Sequence, residues 1–319
     1  MNPAISPLDL FSPGGAGAHA ISPLLWGLVW LSVAVILIIA AAVVAGVVVR
    51  SSGARDPAAV KVERSGNGLW WIYGGVGVSI VVLLIFVGWT MLTMAGIAAP
   101  SRPVALTIAV SARQWWWSFT YDAPGGSVVT ANEVHIPVGV PVHFVLTSPD
   151  VIHSFWVPAL GGKTDVIPGR ANEAWLETDK PGVYRGQCAE FCGMQHAGMA
   201  LFVEAQSPAD FAQWLKAQAE PAAAPGGGDD VAAGAALFVA RCGGCHTVRG
   251  TGAHGAKGPD LTHVMTRTTL AAGVLDNTLG NLSGWIADPQ SLKPGAKMPA
   301  VDLSGAELES ILTYLKTLT

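Results

Sequence analysis

Within the twelve residues Cys188-Ala-Glu-Phe-Cys192-Gly-Met-Gln-His196-Ala-Gly-Met199 the chain places two thiols, an imidazole and, three residues after it, the Met199 thioether. A second imidazole, His153, lies upstream in His153-Ser-Phe-Trp-Val-Pro. Thiolate, imidazole and thioether are soft to intermediate ligands, a set that favours copper. Two Cys and two His could also hold zinc tetrahedrally, but a methionine three residues after the histidine adds nothing to a zinc site. A mononuclear blue-copper centre needs one cysteine only; with two thiolates able to bridge, a binuclear copper centre is the economical reading.

A second constellation, Cys242-Gly-Gly-Cys245-His246, has the Cys-x2-Cys-His spacing that attaches haem c: each thiol adds to a vinyl group and the histidine ligates the iron. Met298, in Lys293-Pro-Gly-Ala-Lys-Met298-Pro, is the expected sixth ligand, because a thioether there leaves no open site and favours electron transfer. Met265 is the other methionine of this region and the alternative to it. The chain has four cysteines, all in these two pairs. A disulfide framework is the competing reading, but each pair sits beside a histidine, as cofactor sites do.

These sites need elements to position them. The run 21–49 contains no charged residue and is long enough to cross a hydrocarbon core of about 30 Å. A second uncharged run, 68–101, carries Leu69, Trp70 and Trp71 at one end and Trp89 towards the other, as in an interfacial girdle. Arg50, Arg55, Lys61 and Arg64 crowd the connection, whereas the first twenty residues contain no Lys or Arg, so the connection is expected on the cytoplasmic side and both flanks outside. A signal peptide is the competing reading of the first run; its apolar length and missing basic n-region oppose it.

From 103 to 204 short alternating stretches (104–110, 142–146, 200–203) are broken by Pro and Gly, which predicts an all-β sandwich or barrel. Ser207-Pro208 then offers an N-cap and a proline at the first helical position, with Phe211, Trp214 and Leu215 as the apolar face of a closing helix. Residues 220–230 (EPAAAPGGGDD) lack the apolar bulk to pack and read as a flexible linker. Beyond it the pattern is helical, ending in a Ser304/Glu307 capping box ahead of Leu308, Ile311, Leu312 and Leu315. The expected fold is therefore a membrane-anchored multidomain chain: 1–102 an N-terminal segment and transmembrane hairpin, 103–219 an all-β domain, 220–230 the linker, 231–319 an all-α domain. Only 13% of the 319 residues are charged and the net charge is −4; with a mean hydropathy of +0.44, this suits a membrane protein with extramembrane domains, and the lack of Lys/Arg runs excludes a nucleic-acid binder.

The cysteine-rich segment resembles that of subunit II of the haem-copper cytochrome c oxidases. The resemblance implies a cupredoxin-like β-domain whose binuclear copper (copper A) is held by His153, Cys188, Glu190 through its carbonyl, Cys192, His196 and Met199. It also makes the Glu190 side chain a candidate ligand of a magnesium ion shared with subunit I. Gln114-Trp-Trp-Trp-Ser-Phe-Thr-Tyr121 is similar to the family's aromatic strand, and implies Trp115 as an electron relay from a docked cytochrome c. Lys163-Thr-Asp-Val-Ile-Pro-Gly-Arg170 resembles the segment facing subunit I. Gly258-Pro259-Asp260-Leu261 resembles the loop of small cytochromes c whose proline carbonyl orients the haem histidine, so the last domain is expected to be a cytochrome c. The glutamate that many members place just before the second helix has no close counterpart; the nearest, Glu63, reads as a loop charge. His135, His143, His254 and His263 read as structural or surface residues.

The implied function is to carry electrons into an oxidase of a bacterial cytoplasmic (inner) membrane, from haem c to copper and on to a haem of subunit I that reduces oxygen to water, with proton translocation by the complex. Implied partners are subunit I and the other oxidase subunits, membrane lipids, and a soluble cytochrome c or other periplasmic donor, with both redox domains on the periplasmic side. The alternatives are a haem-copper nitric oxide reductase subunit and a tethered electron carrier or copper-delivery protein without an oxidase. The copper pattern also occurs in nitrous oxide reductase, which the hairpin and haem motif fit poorly.

Overall fold

The computed structural model describes residues 8–52, 68–100, 102–123, 126–224, 226 and 228–319. Arg55, Lys61, Glu63 and Arg64 of the basic connection, and Pro225 and Gly227 of the linker, lie outside them. Of the described residues, those within 20–99 form one compact unit and those within 1–19 and 100–319 form another.

Two helices, α1 (Ala16–Ser52) and α2 (Gly68–Ile97), contain spans of 33 and 29 residues long and apolar enough to cross a membrane. Ile36, Leu37, Ile38 and Ile39 are all more than half exposed, as are Leu83, Leu84 and Ile85. Helices apolar all round have no stripe to bury against a protein core, and a bilayer is the solvent that suits them. α2 stops at Ile97, short of the expected 101, because Pro100 bars its preceding residues from continuing the helix.

The second unit begins with ten strands: β1 (Leu106–Arg113), β2 (Trp116–Ala123), β3 (Gly126–Ala131), β4 (Glu133–Pro137), β5 (Val142–Thr147), β6 (His153–Phe155), β7 (Thr164–Val166), β8 (Asn172–Leu176), β9 (Gly182–Gln187) and β10 (Ala200–Gln206). They make a five-stranded sheet, β3-β2-β1-β5-β8, facing a three-stranded sheet, β4-β10-β9, with β6 and β7 paired at one end. This is the sandwich expected of the cupredoxin-like domain. Period-two alternation in β2 sends Trp117, Phe119 and Tyr121 into the core with Ile108, Phe144 and Phe155. Each large apolar side chain buried in this way contributes about 1.5–3 kcal/mol. Helix α3 (Pro208–Ala219) starts as its sequence predicts, the Ser207 hydroxyl accepting from the Asp210 N–H, and packs Phe211 and Trp214 on Tyr121.

The first residues of the linker lie against the C-terminal domain. The Ala222 N–H donates to the Arg249 carbonyl (3.0 Å), the Glu220 carbonyl is 3.0 Å from Nε2 of His263, and α4 (Asp229–Arg241) already begins at Asp229, where two acidic residues complement the helix N-terminus. The ladders β11 (Thr247–Val248) with β12 (Ala253–His254) and β13 (Thr269–Leu270) with β14 (Leu275–Asp276) lead to α5 (Leu279–Ala287), α6 (Pro289–Leu292) and α7 (Gly305–Leu315). The Ser304/Glu307 capping box opens α7, which packs on α4 through Phe238 and Tyr314, 5.7 Å between ring centroids. Leu282, Ile286, Ile311 and Leu315 complete this helical core.

Candidate metal and haem sites

His153 opens β6 and is fully buried; Cys188 follows the last residue of β9, and Cys192, His196 and Met199 occupy the loop from β9 to β10. That loop is closed at its base, the Cys188 N–H donating to the Met199 carbonyl (3.0 Å), and tied to β6 by the Ala189 N–H on the Ser154 carbonyl (3.0 Å). The side chains therefore converge. Cys188 Sγ lies 3.8 Å from His153 Nδ1 and 3.7 Å from Cys192 Sγ; Cys192 Sγ lies 3.7 Å from His196 Nδ1 and 3.9 Å from Met199 Sδ. The Glu190 carbonyl is 3.3 Å from Cys188 Sγ. The His153, Cys188 and Cys192 ligand atoms all fall within 4.8 Å of one another.

Sulfurs 3.7 Å apart are not a disulfide, whose S–S bond is about 2.05 Å. Atoms that each bind a metal at about 2.0–2.3 Å sit at separations of this order. The donor set of two thiols, two imidazoles, one thioether and one carbonyl thus fits a copper centre with bridging sulfurs. The hydrogen bond with Cys192 is the first cause holding the Cys188 thiol down to about 4, and the same pairing pushes the Cys192 thiol up, so the pair releases its first proton readily. Burial opposes charge on His153, yet its bonds to Cys188 and Asp150 hold its pKa above the ordinary histidine value.

Asp150 was not legible as a site residue. Its Oδ1 lies 2.9 Å from His153 Nε2 and its Oδ2 accepts from the Gln114 N–H (2.7 Å), so the carboxylate turns the other ring nitrogen, Nδ1, towards the sulfurs. The three-residue spacing to His153 was the available signal. Gln114 Nε2 and Trp115 Nε1 both donate to the Cys192 carbonyl, at 2.8 and 3.0 Å. Of the three tryptophans, Trp117 and Trp115 both belong to the core, and Trp115 and Trp116 also line a cavity. Glu190 is half-buried, its Oε1 accepting from the Phe191 N–H (3.2 Å).

That cavity, about 330 Å³, is also lined by Cys242, Cys245, His246 and Met298. Cys242 caps α4, and the His246 Nδ1 lies 2.8 Å from the Pro259 carbonyl. Gly258 is required beside it: a Cβ there would stand 2.5 Å from His246 Cε1. With Nδ1 engaged, Nε2 is left for a ligand, and burial lowers the His246 pKa, favouring the neutral ring that binds iron. Met265 packs into the helical core away from the cavity lining, and the Met298 loop is held by Gln290 Nε2 on the Met298 carbonyl (2.9 Å). The residues thus fit a covalently attached haem.

Four further histidines lie apart from both constellations: His135 stacks on Trp214, His143 is 3.4 Å from Glu173, His254 is exposed in β12, and His263 sits between the Glu220 and Thr319 carbonyls.

Residues 123–206 match the family described as "Cytochrome C oxidase subunit II, periplasmic domain" and residues 231–319 match "Cytochrome c". Cytochrome c oxidase subunit 2 of Alkalihalophilus pseudofirmus is 43% identical over 215 residues, 66% of this chain and 60% of the relative. That of Bacillus subtilis is 34% identical over 228 residues, 67% and 62%. The chain spans about three-fifths of these relatives' length. The crystal structure of the periplasmic domain of cytochrome oxidase subunit II from Bradyrhizobium japonicum is 34% identical, with a TM-score of 0.35, covering 37% of this chain and 96% of that one. The chain belongs to the cytochrome c oxidase subunit II family and carries a cytochrome c domain in the same polypeptide.

Proposed function

We propose that this chain is the electron-input subunit of a respiratory cytochrome c oxidase, with haem c attached at Cys242 and Cys245 and ligated by His246 and Met298, and binuclear copper held by His153, Cys188, the Glu190 carbonyl, Cys192, His196 and Met199. When bound, the two groups supply one-electron chemistry, haem c donating to copper and copper to a haem of subunit I, where oxygen is reduced to water and proton translocation is coupled. The observation that carries the reading is that sulfur, imidazole and carbonyl atoms from two segments, β6 and the β9–β10 loop, each lie within 4 Å of a neighbour in one cluster, while Trp115, bonded to the Cys192 carbonyl, also walls the proposed haem cavity.

The chain's own residues bind, orient and keep dry. Asp150 fixes the His153 ring, the β9–β10 loop fixes the sulfurs, and Pro259 fixes His246. Rigid ligation limits rearrangement between redox states, which is what fast electron transfer needs. Trp115 is the proposed relay, and the Glu190 carboxylate the proposed contribution to a magnesium site completed by subunit I. The two apolar helices anchor the chain, with the redox domains proposed to face the periplasm. A soluble cytochrome c or similar periplasmic protein is the proposed donor.

Metal and haem analysis of the detergent-solubilised chain, with optical and paramagnetic resonance spectra, tests this. Two coppers sharing one unpaired electron and one covalent low-spin haem are expected. One zinc, or a mononuclear copper signal, would overturn the bridging role of Cys188 and Cys192.

A further inference from the structure

Two charged side chains cross in opposite directions between the β-domain and the haem domain. Lys293, which caps α6, is only 3% exposed, and its ammonium donates to the carbonyls of Trp115 (2.9 Å), Gly198 (2.8 Å) and Ala271 (2.8 Å). All three of its N–H donors are used, two on the β-domain and one on its own domain. In the other direction Glu133, the first residue of β4 and 5% exposed, reaches into the turn before β13. It accepts from the Thr268 and Thr269 N–H groups, both at 2.9 Å, and from both threonine hydroxyls, at 2.7 and 3.2 Å. Between these ends the Ala200 N–H donates to the Ala272 carbonyl (3.0 Å) and Gln195 Nε2 to the Pro294 carbonyl (2.8 Å).

Burying a charge is costly unless its hydrogen-bonding capacity is met, and one well-fitted orientation meets it. Here each charge is satisfied largely by groups of the other domain, so displacing the domains would strand both at once. The acceptors are also well placed: Trp115 donates its indole N–H to the Cys192 carbonyl, and Gly198 precedes Met199.

We propose that Lys293 and Glu133 form a reciprocal latch that holds the haem domain in one orientation on the Trp115 face of the β-domain, so that electrons cross from a standing contact rather than after a domain search. Both are positioning residues, acting through Trp115, the Gly198–Met199 backbone and the Thr268–Thr269 turn. Only the electron-crossing half rests on the proposed function; the latch itself does not.

Hydrogen–deuterium exchange on the full chain in detergent, with and without haem and copper, reads the latch directly. Burial holds the Lys293 ammonium down to about 7, so the comparison is made near about pH 6, where it is charged. In the wild type the Ala200, Thr268 and Thr269 amides are protected. In Lys293→Met their protection falls at least about tenfold, the order expected for losing charge-assisted bonds, while amides inside β1 and α7 keep theirs. Glu133→Gln, which keeps the side-chain shape, loosens the Ala200 amide in the same direction and carries the test should Lys293→Met not fold. In the holo chain, haem-to-copper transfer after photoreduction is independent of solvent viscosity in the wild type and becomes slower and viscosity-dependent in the variants. Unprotected wild-type amides at these positions, or folded variants with wild-type exchange, would overturn the latch. Wild-type transfer limited by viscosity would overturn the standing contact. A chain that binds neither haem nor copper would refute the proposed function and leave the exchange result to stand by itself.

Discussion

At the scale of single residues, the second partner of a ligand matters as much as the ligand. Asp150 holds His153 by Nε2 and is itself held by the Gln114 N–H. Asp150→Asn removes the charge that anchors the ring while keeping the volume, and copper retention in competition with a chelator is expected to drop about 10–100-fold, the usual cost of losing such a support. Met298 makes a different case. In Met298→Leu the haem remains attached through Cys242 and Cys245 but loses its thioether, so the reduced chain is expected to bind carbon monoxide and its reduction potential to fall; difference spectra and a redox titration read both. The ligands themselves were legible because five of the six proposed copper-binding residues come from one twelve-residue stretch and the haem motif from five consecutive residues. Asp150 was marked only by its three-residue spacing to His153, and Glu133 and Lys293 by nothing local. Glu133 meets Thr268 across 135 positions and Lys293 meets Trp115 across 178, so each reads in sequence as an ordinary surface charge.

At the scale of elements, the strand pattern, the Ser207 cap and the Ser304/Glu307 box were readable because each is set by neighbours in sequence. How α3 seats on the sandwich was not. Its Trp214 stacks on His135, ring centroids 3.9 Å apart and 11° between planes, in a setting that buries the imidazole and pushes its pKa from 6.5 down to about 4. The neutral ring is thus the folded form, and between those values the unfolded chain binds the extra proton. This contribution is complete above about pH 6.5 and is lost as the pH falls towards about 4, amounting at most to about 3 kcal/mol. Glu204, 3.6 Å from Nε2, is itself raised by burial and gives the charged ring little help. His135→Phe keeps the stack and removes the titration. Unfolding in denaturant, followed by near-ultraviolet circular dichroism, is expected to show less acid sensitivity between pH 6.5 and 4 in the variant than in the parent chain; equal sensitivity would place the acid response elsewhere.

At the scale of the whole chain, two separate hydrophobic cores, one around Trp117 and Phe144 and one around Phe238 and Tyr314, are joined by a polar seam. The Gly-rich stretch between the domains read as a flexible linker and left open whether the haem domain moves, since composition reports what a segment can do in isolation. It does not report that Ala222 bonds to Arg249, or that the seam buries two charges. The seam also covers Trp115, which is 7% exposed and has Lys297 over its ring at 5.7 Å. On the proposed function, a soluble donor finds the tryptophan beside the Cys192 carbonyl covered and delivers its electron to haem c. Two variants separate the routes. With Cys242→Ser and Cys245→Ser the haem is absent while its domain remains seated, and reduction of copper by an external cytochrome c is expected to be slow. Truncation after Glu220 removes the covering domain but leaves the first core whole, and reduction is expected to be faster than in the haem-free chain. Stopped-flow absorbance of the copper band distinguishes them; equally fast reduction in both would mean that the donor reaches copper by a face the haem domain does not cover.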